Sequence, residues 1–288
     1  MDSFCGGNFM SRSYRRIGAG ALGALFAVVF TVTLASARQA HAAGCSLAST
    51  NGTVTRFIGA RTYTLHVPAG LAGPQVPLLL SMHGASGFSA EQEFVTGWSP
   101  YADAHRFIVA YPQGVSNLWD IQQNSYDVTF LRQLVADISG TWCVDPHRVF
   151  SDGHSNGAIM SMRLACDAGN VFASSVEYAG ADPTSLGGPC QPSRPIAVGL
   201  FHGNSDSVAP IGLDQQARDK RLGRDTCPSS PAHSVDAYGT LDSFSPCAAG
   251  VSVWWRVLFN QNHGWPTGAA GQDQRDKMWT FLTANLLP

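Results

Sequence analysis

The chain has 288 residues, of which 44% are hydrophobic and 13% are charged. This length allows one domain with a sizeable core, and this composition excludes a disordered chain. The formal net charge is −2, and the body of the chain carries no basic stripe. Nucleic acid is therefore not an expected partner.

The first 43 residues have the features of an export signal. Arginines within residues 12–16 precede an apolar stretch at 17–34, and residues 40–42 (Ala-His-Ala) form an A-x-A cleavage signal. We expect a secretory signal peptide over residues 1–43 and a secreted mature chain that has no membrane segment. A retained membrane anchor is the alternative, and the Arg15-Arg16 pair leaves the twin-arginine route open.

Six cysteines follow the signal, and an even number in an exported chain indicates disulfide bonds. No C-x-x-C pair occurs, which disfavours a zinc or redox site. The pairing is left open at this point, and so is a lipoprotein anchored through Cys45, whose preceding residues loosely resemble a lipobox. The six are Cys45, Cys143, Cys166, Cys190, Cys227 and Cys247.

Strand and helix patterns alternate along the mature chain, beginning with a hairpin. Residues 53–58 and 62–67 flank a Gly-Ala-Arg turn and predict two antiparallel strands. The continuous apolar run Val76–Met82 predicts a strand that is buried on both faces. A helix is expected over 91–105, with Pro100 interrupting it or capping a second piece. A further buried strand is predicted at 107–111.

The second half of the chain continues this alternation. Apolar residues recur at helical spacing over 126–141. No repeat or flexible linker interrupts residues 44–288, so we predict a single catalytic domain over that range. Its class is α/β, with a mostly parallel central sheet and helices on both faces. The remaining predicted strands are 148–151, 174–177, 196–201 and 251–259, and the remaining helices are 155–166, 213–222 and 272–286.

The segment Gly153-His154-Ser155-Asn156-Gly157 matches G-x-S-x-G, the nucleophile elbow of the α/β-hydrolase fold. It lies between a predicted strand and a predicted helix, which is the context that this elbow requires. The glycines permit the tight turn, and the helix dipole favours the negative charge that develops in acyl transfer. We predict that Ser155 is a catalytic nucleophile; the alternative is a serine that only caps the helix.

A serine nucleophile needs a base that accepts its proton. In this fold the partners follow in the order Ser, acid, His. His263 stands between the last predicted strand and the closing helix, so we predict that it is the base. His202 precedes the expected acid and His233 lies in a cysteine-bounded insertion, so both fit less well.

The acid should orient the imidazole and stabilise its charged form. Asp206 follows the strand predicted at 196–201 and is the expected acid. Asp182 is an alternative, because some related folds place the acid after the preceding strand. Asp214 is a second alternative, although its position suggests the exposed face of a helix.

An oxyanion hole needs two backbone donors. The N–H of Asn156, directly after the nucleophile, is the first expected donor. The second should come from the loop His83-Gly84-Ala85-Ser86-Gly87, which resembles the H-G-x-x-G loop of lipases. We predict the Ala85 N–H, with Gly84 as the next choice, and a structural role for His83.

Several short segments occur in an order that is typical of a known family. Together they resemble the polyhydroxybutyrate-depolymerase-like esterases, a group that includes the microbial feruloyl esterases of the first carbohydrate esterase family. The resemblance covers nearly the whole mature chain. The segments are 82–84 (Met-His-Gly), 111–114 (Tyr-Pro-Gln-Gly), 144–149 (Val-Asp-Pro-His-Arg-Val), 155–157 (Ser-Asn-Gly), 164–167 (Leu-Ala-Cys-Asp), 202–206 (His-Gly-x-x-Asp) and 263–266 (His-Gly-Trp-Pro).

This resemblance implies a secreted serine carboxylesterase with the triad Ser155, Asp206 and His263. It also implies disulfides Cys166–Cys190 and Cys227–Cys247, which leaves Cys45 to pair with Cys143. Two residues depart from the family pattern. Gly264 stands where a threonine is frequent, and His154 stands where the residue is usually apolar or small.

The expected reaction is acyl transfer through a covalent intermediate, with no metal and no cofactor. Plant cell-wall hydroxycinnamoyl esters are the expected substrates of a monomeric enzyme, and a polyhydroxyalkanoate is the main competitor. Trp265 and Trp119 are the aromatic residues expected to contact substrate. An acyltransferase and a non-catalytic binding protein would share the same scaffold, because fold alone does not fix chemistry.

Overall fold

The computed structural model describes residues 51–71, 75–185 and 187–288. The predicted signal peptide and Cys45 lie outside these ranges. Six α-helices are found in the described part. They are α1 (Ser89–Thr96), α2 (Trp98–His105), α3 (Tyr126–Thr141), α4 (Asn156–Asp167), α5 (Gly212–Arg224) and α6 (Gly268–Ala284).

Ten strands of the described residues form one sheet. They are β1 (Gly52–Ile58), β2 (Arg61–Val67), β3 (Val76–Met82), β4 (Ile108–Pro112), β5 (Val144–Gly153), β6 (Ser174–Tyr178), β7 (Ala197–Gly203), β8 (Ala232–Val235), β9 (Gly239–Phe244) and β10 (Val253–Leu258). Their order across the sheet is β1-β2-β4-β3-β5-β6-β7-β10-β9-β8.

The middle of this sheet is parallel and both of its edges are antiparallel. Strands β4, β3, β5, β6, β7 and β10 run parallel to one another. The hairpin β1–β2 extends one edge and the hairpin β8–β9 extends the other. The predicted α/β class and the mostly parallel sheet are confirmed.

Helices cover both faces of the sheet, which explains the continuous apolar runs of the central strands. In β3, Leu78 and Leu80 point into a core formed with α3, α4 and α5. Leu79 points the other way, into a core formed with α2 and α6. Every residue of β3 is buried. The carboxyl ends of the parallel strands therefore meet at one edge, where loops are free to carry polar side chains.

The helix expected over 91–105 is two helices, and the residue that separates them is not Pro100. The break falls at Gly97, whose φ of 63° is left-handed and ends α1. Pro100 lies in the first turn of α2, where no helical hydrogen bond needs its missing N–H. Of the two expected roles of Pro100, a place at the start of a second helix is confirmed and an interruption at Pro100 itself is not.

Two disulfides implied by the family resemblance are confirmed, Cys166–Cys190 and Cys227–Cys247. The third implied pair includes Cys45, which lies outside the described residues. The Cys227–Cys247 segment encloses β8 and β9, which the sequence did not predict. No helix of the described residues has the length and hydrophobicity needed to cross a membrane.

Candidate active site

Ser155 lies at a sharp turn between β5 and α4. Its backbone has φ 54° and ψ −118°, a conformation that is rare for a residue with a side chain. Its N–H donates to the Tyr178 carbonyl over 3.0 Å, and the N–H of His154 donates to the Met82 carbonyl over 3.1 Å. The turn is thus held on both sides, by β6 and by β3, and the strained backbone presents the Ser155 side chain above the sheet.

Two glycines make this turn possible. A Cβ on Gly153 would lie 2.1 Å from the Gly157 carbonyl oxygen, and a Cβ on Gly157 would lie 2.2 Å from the Met82 carbonyl oxygen. Neither contact is sterically allowed. The G-x-S-x-G spacing is therefore required by backbone packing between β3, β5 and α4.

The structure brings Ser155, His263 and Asp206 together. The Nε2 atom of His263 lies 2.9 Å from the Ser155 Oγ, and its Nδ1 lies 2.7 Å from Asp206 Oδ2. Asp206 follows β7 and His263 follows β10, which are adjacent parallel strands. Backbone hydrogen bonds of Asn204 to Leu258 and of Ser205 to Gln261 join the two loops. The three side chains form an unbroken hydrogen-bonded line from a hydroxyl to a buried carboxylate.

Asp206 is held as a carboxylate by its surroundings. Burial alone would raise its pKa, but hydrogen bonds from His263 and from the N–H groups of Ala209 and Val208 outweigh burial and lower it. The two N–H groups donate to Oδ1 over 2.9 and 2.8 Å, which leaves Oδ2 directed at His263. An ionised, oriented acid of this kind fixes the imidazole tautomer that has a free Nε2.

The alternative acids and bases lie in other interactions. Asp182 accepts from Thr184 and pairs with Lys220, and Asp214 contacts the His202 ring at 2.6 Å. His233 pairs with Asp242 within the β8–β9 hairpin. Among the described residues, no group of three or more His, Cys, Asp or Glu side chains could hold a metal ion.

The expected oxyanion loop lies beside the serine. The site that a Cβ of Gly84 would occupy is 3.4 Å from the Ser155 Cβ. The two amides that follow Ala85 are engaged, since Ser86 N–H donates to Asn117 and Gly87 N–H donates to Gly84. Ala85 lies on the wall of the cavity that contains Ser155.

Trp119 supports this loop from behind and does not line the cavity, in contrast to its predicted contact with substrate. It is 3% exposed. Its Nε1–H donates to the His83 carbonyl over 2.8 Å, and its backbone N–H donates to the Asn156 side chain over 2.8 Å. His83 accepts from the Gly114 N–H, which agrees with its expected structural role. Trp119 therefore fixes the two segments that carry the expected oxyanion donors.

A cavity of about 760 Å³ opens above Ser155 and His263. One wall is formed by the loop after β3 and by α1, and the other by residues 264–268 and the start of α6. Trp265, the other predicted contact residue, lines it two positions after His263. Phe94 of α1 lies at its rim and is 86% exposed. The cavity combines aromatic surface with a few polar groups, including Glu91 and Arg275.

His154 has a role that the sequence did not indicate. Its Nε2–H donates to the backbone carbonyl of His263 over 2.7 Å, and Tyr178 donates to the carbonyl of Asn262 over 2.6 Å. Burial lowers the pKa of His154 to about 4, so its ring is neutral at ordinary pH. The residue before the serine thus holds the loop that carries His263, and its departure from the family pattern is the only sequence signal for this contact.

No protein-family model matches the sequence. A bifunctional acetylxylan esterase/xylanase of Neocallimastix patriciarum is 28% identical over 233 residues, 77% of this chain and 33% of that protein. Feruloyl esterase D of Neurospora crassa is 30% identical over 183 residues, 62% of this chain and 59% of that protein. A poly(3-hydroxyalkanoate) depolymerase C of Paucimonas lemoignei is 32% identical over 126 residues, 40% of this chain and 30% of that protein. The chain thus spans less than two thirds of the length of each of these relatives.

The fold is also found in solved structures. An acetyl xylan esterase from Aspergillus awamori superposes with a TM-score of 0.68 at 16% identity, over 80% of this chain and 98% of that chain. The parallel sheet, its covering helices and the strand-turn-helix at Ser155 define an α/β-hydrolase. Within that class, the relatives named above are esterases and a depolymerase, which agrees with the resemblance of the sequence to the polyhydroxybutyrate-depolymerase-like esterases.

Proposed function

We propose that the protein is a serine carboxylesterase in which Ser155, His263 and Asp206 act as nucleophile, base and acid. The observation that carries this proposal is the line of two hydrogen bonds, 2.9 Å from Ser155 to His263 and 2.7 Å from His263 to Asp206. This is the geometry of an activated serine, with the base in reach of the hydroxyl proton and oriented by a carboxylate.

The reaction proceeds in two halves. The Ser155 Oγ attacks the ester carbonyl carbon while His263 Nε2 takes the hydroxyl proton, and the N–H groups of Asn156 and Ala85 stabilise the oxyanion. Collapse of this intermediate breaks the ester C–O bond, and His263 returns its proton to the departing alcohol. Water then attacks the acyl-enzyme carbonyl carbon and gives a proton to His263. Collapse of this second intermediate breaks the bond between the acyl carbon and Ser155 Oγ, His263 returns its proton to Oγ, and the carboxylic acid leaves. Asp206 stays ionised throughout.

Replacing the nucleophile tests this assignment. We expect Ser155→Ala to lower kcat on p-nitrophenyl acetate by about 10⁶-fold, because the other residues cannot replace the attacking oxygen. Ser234→Ala, on the exposed strand β8, should keep wild-type turnover. A fluorophosphonate probe should modify Ser155 in the wild type, with the adduct located by peptide mass spectrometry. Wild-type turnover by Ser155→Ala would disprove the proposal.

The proposed substrates are hydroxycinnamoyl esters of the plant cell wall. The name of the Neurospora crassa relative supports a feruloyl acyl group, and the name of the Neocallimastix patriciarum relative supports an ester on xylan. The aromatic residues of the cavity, Trp265 beside the base and Phe94 at the rim, support an aromatic acyl group. A polyhydroxyalkanoate is the second candidate, supported by the depolymerase relative and by the exposure of Phe94.

A Phe94 variant should affect hydroxycinnamoyl esters more than a simple ester. We expect Phe94→Ala to reduce kcat/KM for methyl ferulate by about tenfold, because stacking on the aromatic acyl group is lost, and to leave p-nitrophenyl acetate nearly unaffected. Phe57→Ala is the matched control, since Phe57 is also exposed but lies on β1 outside the cavity. Equal losses on both esters would contradict the aromatic site. Faster release from polyester film than from methyl ferulate would favour the second candidate.

We also propose that the mature chain is exported. Two disulfides, Cys166–Cys190 and Cys227–Cys247, support an oxidising destination. The predicted signal peptide would be cleaved after residue 43. Intact-mass measurement of the chain recovered from culture medium should then give an N-terminus at Gly44. Recovery of the uncleaved chain in the membrane fraction would contradict the proposal.

A further inference from the structure

Behind the acid lies a second, fully buried histidine–carboxylate pair that the reaction described above does not use. His202 is the penultimate residue of β7, and its side chain has no solvent exposure. Its Nε2 lies 3.3 Å from Asp206 Oδ2, the same oxygen that accepts from His263. Its Nδ1 lies 2.6 Å from Asp214 Oδ2 on α5. One carboxylate oxygen of Asp206 therefore contacts two imidazole rings.

The hydrogen-bond partners define the protonation of His202. Its Nε2 lies 2.8 Å from the Ala209 carbonyl oxygen, which can only accept, so Nε2 carries a hydrogen. On the other side, Asp214 Oδ2 already accepts from the Gly180 N–H, so we take Nδ1 as the donor to this oxygen. Both ring nitrogens then carry hydrogens, and the ring is an imidazolium.

The charges around His202 support this state. Burial alone would lower its pKa, but the hydrogen bond and charge of Asp214, the Ala209 carbonyl and the charge of Asp206 raise it above the ordinary value. The next carboxyl, Glu177 on β6, is buried beside Asp214. Burial first, and then the charge of Asp214, raise the pKa of Glu177 well above its usual range. A neutral Glu177 adds no second negative charge beside the contact between His202 and Asp214.

We propose that His202 is a positioning residue of the triad, a buried imidazolium anchored by Asp214 that keeps Asp206 ionised and aimed at His263. This inference rests on the proposed esterase function. The cation compensates the carboxylate charge of Asp206, whose side chain is buried away from bulk solvent. Because the two rings contact one oxygen of Asp206, the position of His202 also restrains the direction in which that oxygen faces His263.

The first test observes the charge of His202 directly. In ¹⁵N-histidine-labelled protein at pH 8, long-range ¹H–¹⁵N spectra should show one ring with both nitrogens protonated. The signal should persist in Ser155→Ala and disappear in His202→Asn. If His202→Asn does not fold, Asp214→Asn provides the assignment, because that variant removes the anionic partner and should shift the same signal. Spectra in which every ring is neutral at pH 8 would overturn the proposal.

The second test is the pH profile of kcat/KM. His202→Asn should lower kcat/KM by about tenfold to a hundredfold, less than the ~10⁴-fold loss that follows removal of a triad acid. Its acidic limb should also move to a different pH, because the variant removes a buried charge next to the triad. A loss of kcat/KM without movement of the limb would indicate a merely structural role and would refute the proposal.

His233→Asn is the matched control. His233 also contacts an aspartate at 2.6 Å, but this pair lies in the β8–β9 hairpin and the His233 side chain is exposed. Neither kcat/KM nor the acidic limb should change.

The esterase proposal and the His202 proposal can be disproved separately. A protein that hydrolyses no ester and does not react with fluorophosphonate disproves the esterase function, whereas the spectra report the charge of His202 independently of turnover.

Discussion

At the residue scale, the conformation of Ser155 is maintained by its neighbours rather than by its own preference. A φ of 54° costs free energy for a residue with a side chain. The close approach of Gly153 and Gly157 to the surrounding carbonyl groups keeps this turn in place. The packing of β3, β5 and α4 therefore maintains this strained backbone conformation. The strain falls on Ser155, whose hydroxyl must project above the sheet.

A methyl group on Gly153 should be far more harmful than its size suggests. The Cβ would lie 2.1 Å from the Gly157 carbonyl oxygen, so we expect Gly153→Ala to destabilise the protein by about 3 kcal/mol or more. In Gly140→Ala the new Cβ meets no atom within 4 Å, and we expect a gain of about 0.5–1 kcal/mol at this α3 position. Urea unfolding of both variants checks the contrast, and similar stabilities would contradict it.

The protonation of His154, in the same turn, should make the stability of the protein depend on pH. Its pKa is about 4 in the folded protein and 6.5 in a solvated chain. The unfolded state therefore binds more protons between these values, and stability should fall as the pH drops from about 6.5 to about 4, by up to ~3 kcal/mol. His154→Gln retains a donor for the His263 carbonyl but cannot titrate. Its unfolding free energy should depend less on pH in this window, and an unchanged slope would refute the assignment.

The sequence was informative about residues whose type and order are fixed by backbone geometry. The G-x-S-x-G spacing and the position of His263 after the last parallel strand are of this kind. It was uninformative about His154 and His202, because their roles depend on contacts across strands that are distant in sequence. Trp119 shows the same limit, since an aromatic side chain near a site in sequence can lie behind the site in space.

At the scale of elements, the strands that are buried on both faces were the most predictable. Continuous apolar runs such as Val76–Met82 have few other structural solutions. Strands β8 and β9 were missed because they are exposed or half-buried, and polar residues such as His233 and Asp242 interrupt any apolar pattern. Pro100 correctly indicated a second helical piece, but the sequence did not single out Gly97 as the residue that ends the first helix.

The Cys227–Cys247 bridge should contribute to stability through the loop that it closes. The two residues are 20 apart in sequence and enclose the β8–β9 hairpin. Loop-closure entropy predicts a loss of about 3 kcal/mol in the double variant Cys227→Ser/Cys247→Ser. Guanidinium unfolding measures this loss. Turnover below the melting temperature should be nearly unchanged, because neither cysteine lines the cavity. A variant that is as stable as the wild type would contradict the entropic account.

At the scale of the whole molecule, three loops that are distant in sequence converge at the carboxyl edge of one sheet. β5 leads to Ser155, β7 to Asp206 and β10 to His263, and the first of these is separated from the other two only by β6. Strand order therefore determines which side chains can meet, and local sequence determines which residues are presented there. This division explains why the order Ser, acid, His could be used to select residues before the sheet was known.

The hairpin β9–β8 continues the sheet beyond β10, so the strand that leads to His263 has a hydrogen-bonded neighbour on each side. Outermost strands open first when a sheet fluctuates, and here that place belongs to β8, which carries none of the proposed catalytic groups. Strand β8 can therefore open transiently while the distance between the His263 ring and the Ser155 hydroxyl is preserved. The β8–β9 hairpin thus separates the strand that leads to His263 from the edge where the sheet opens first.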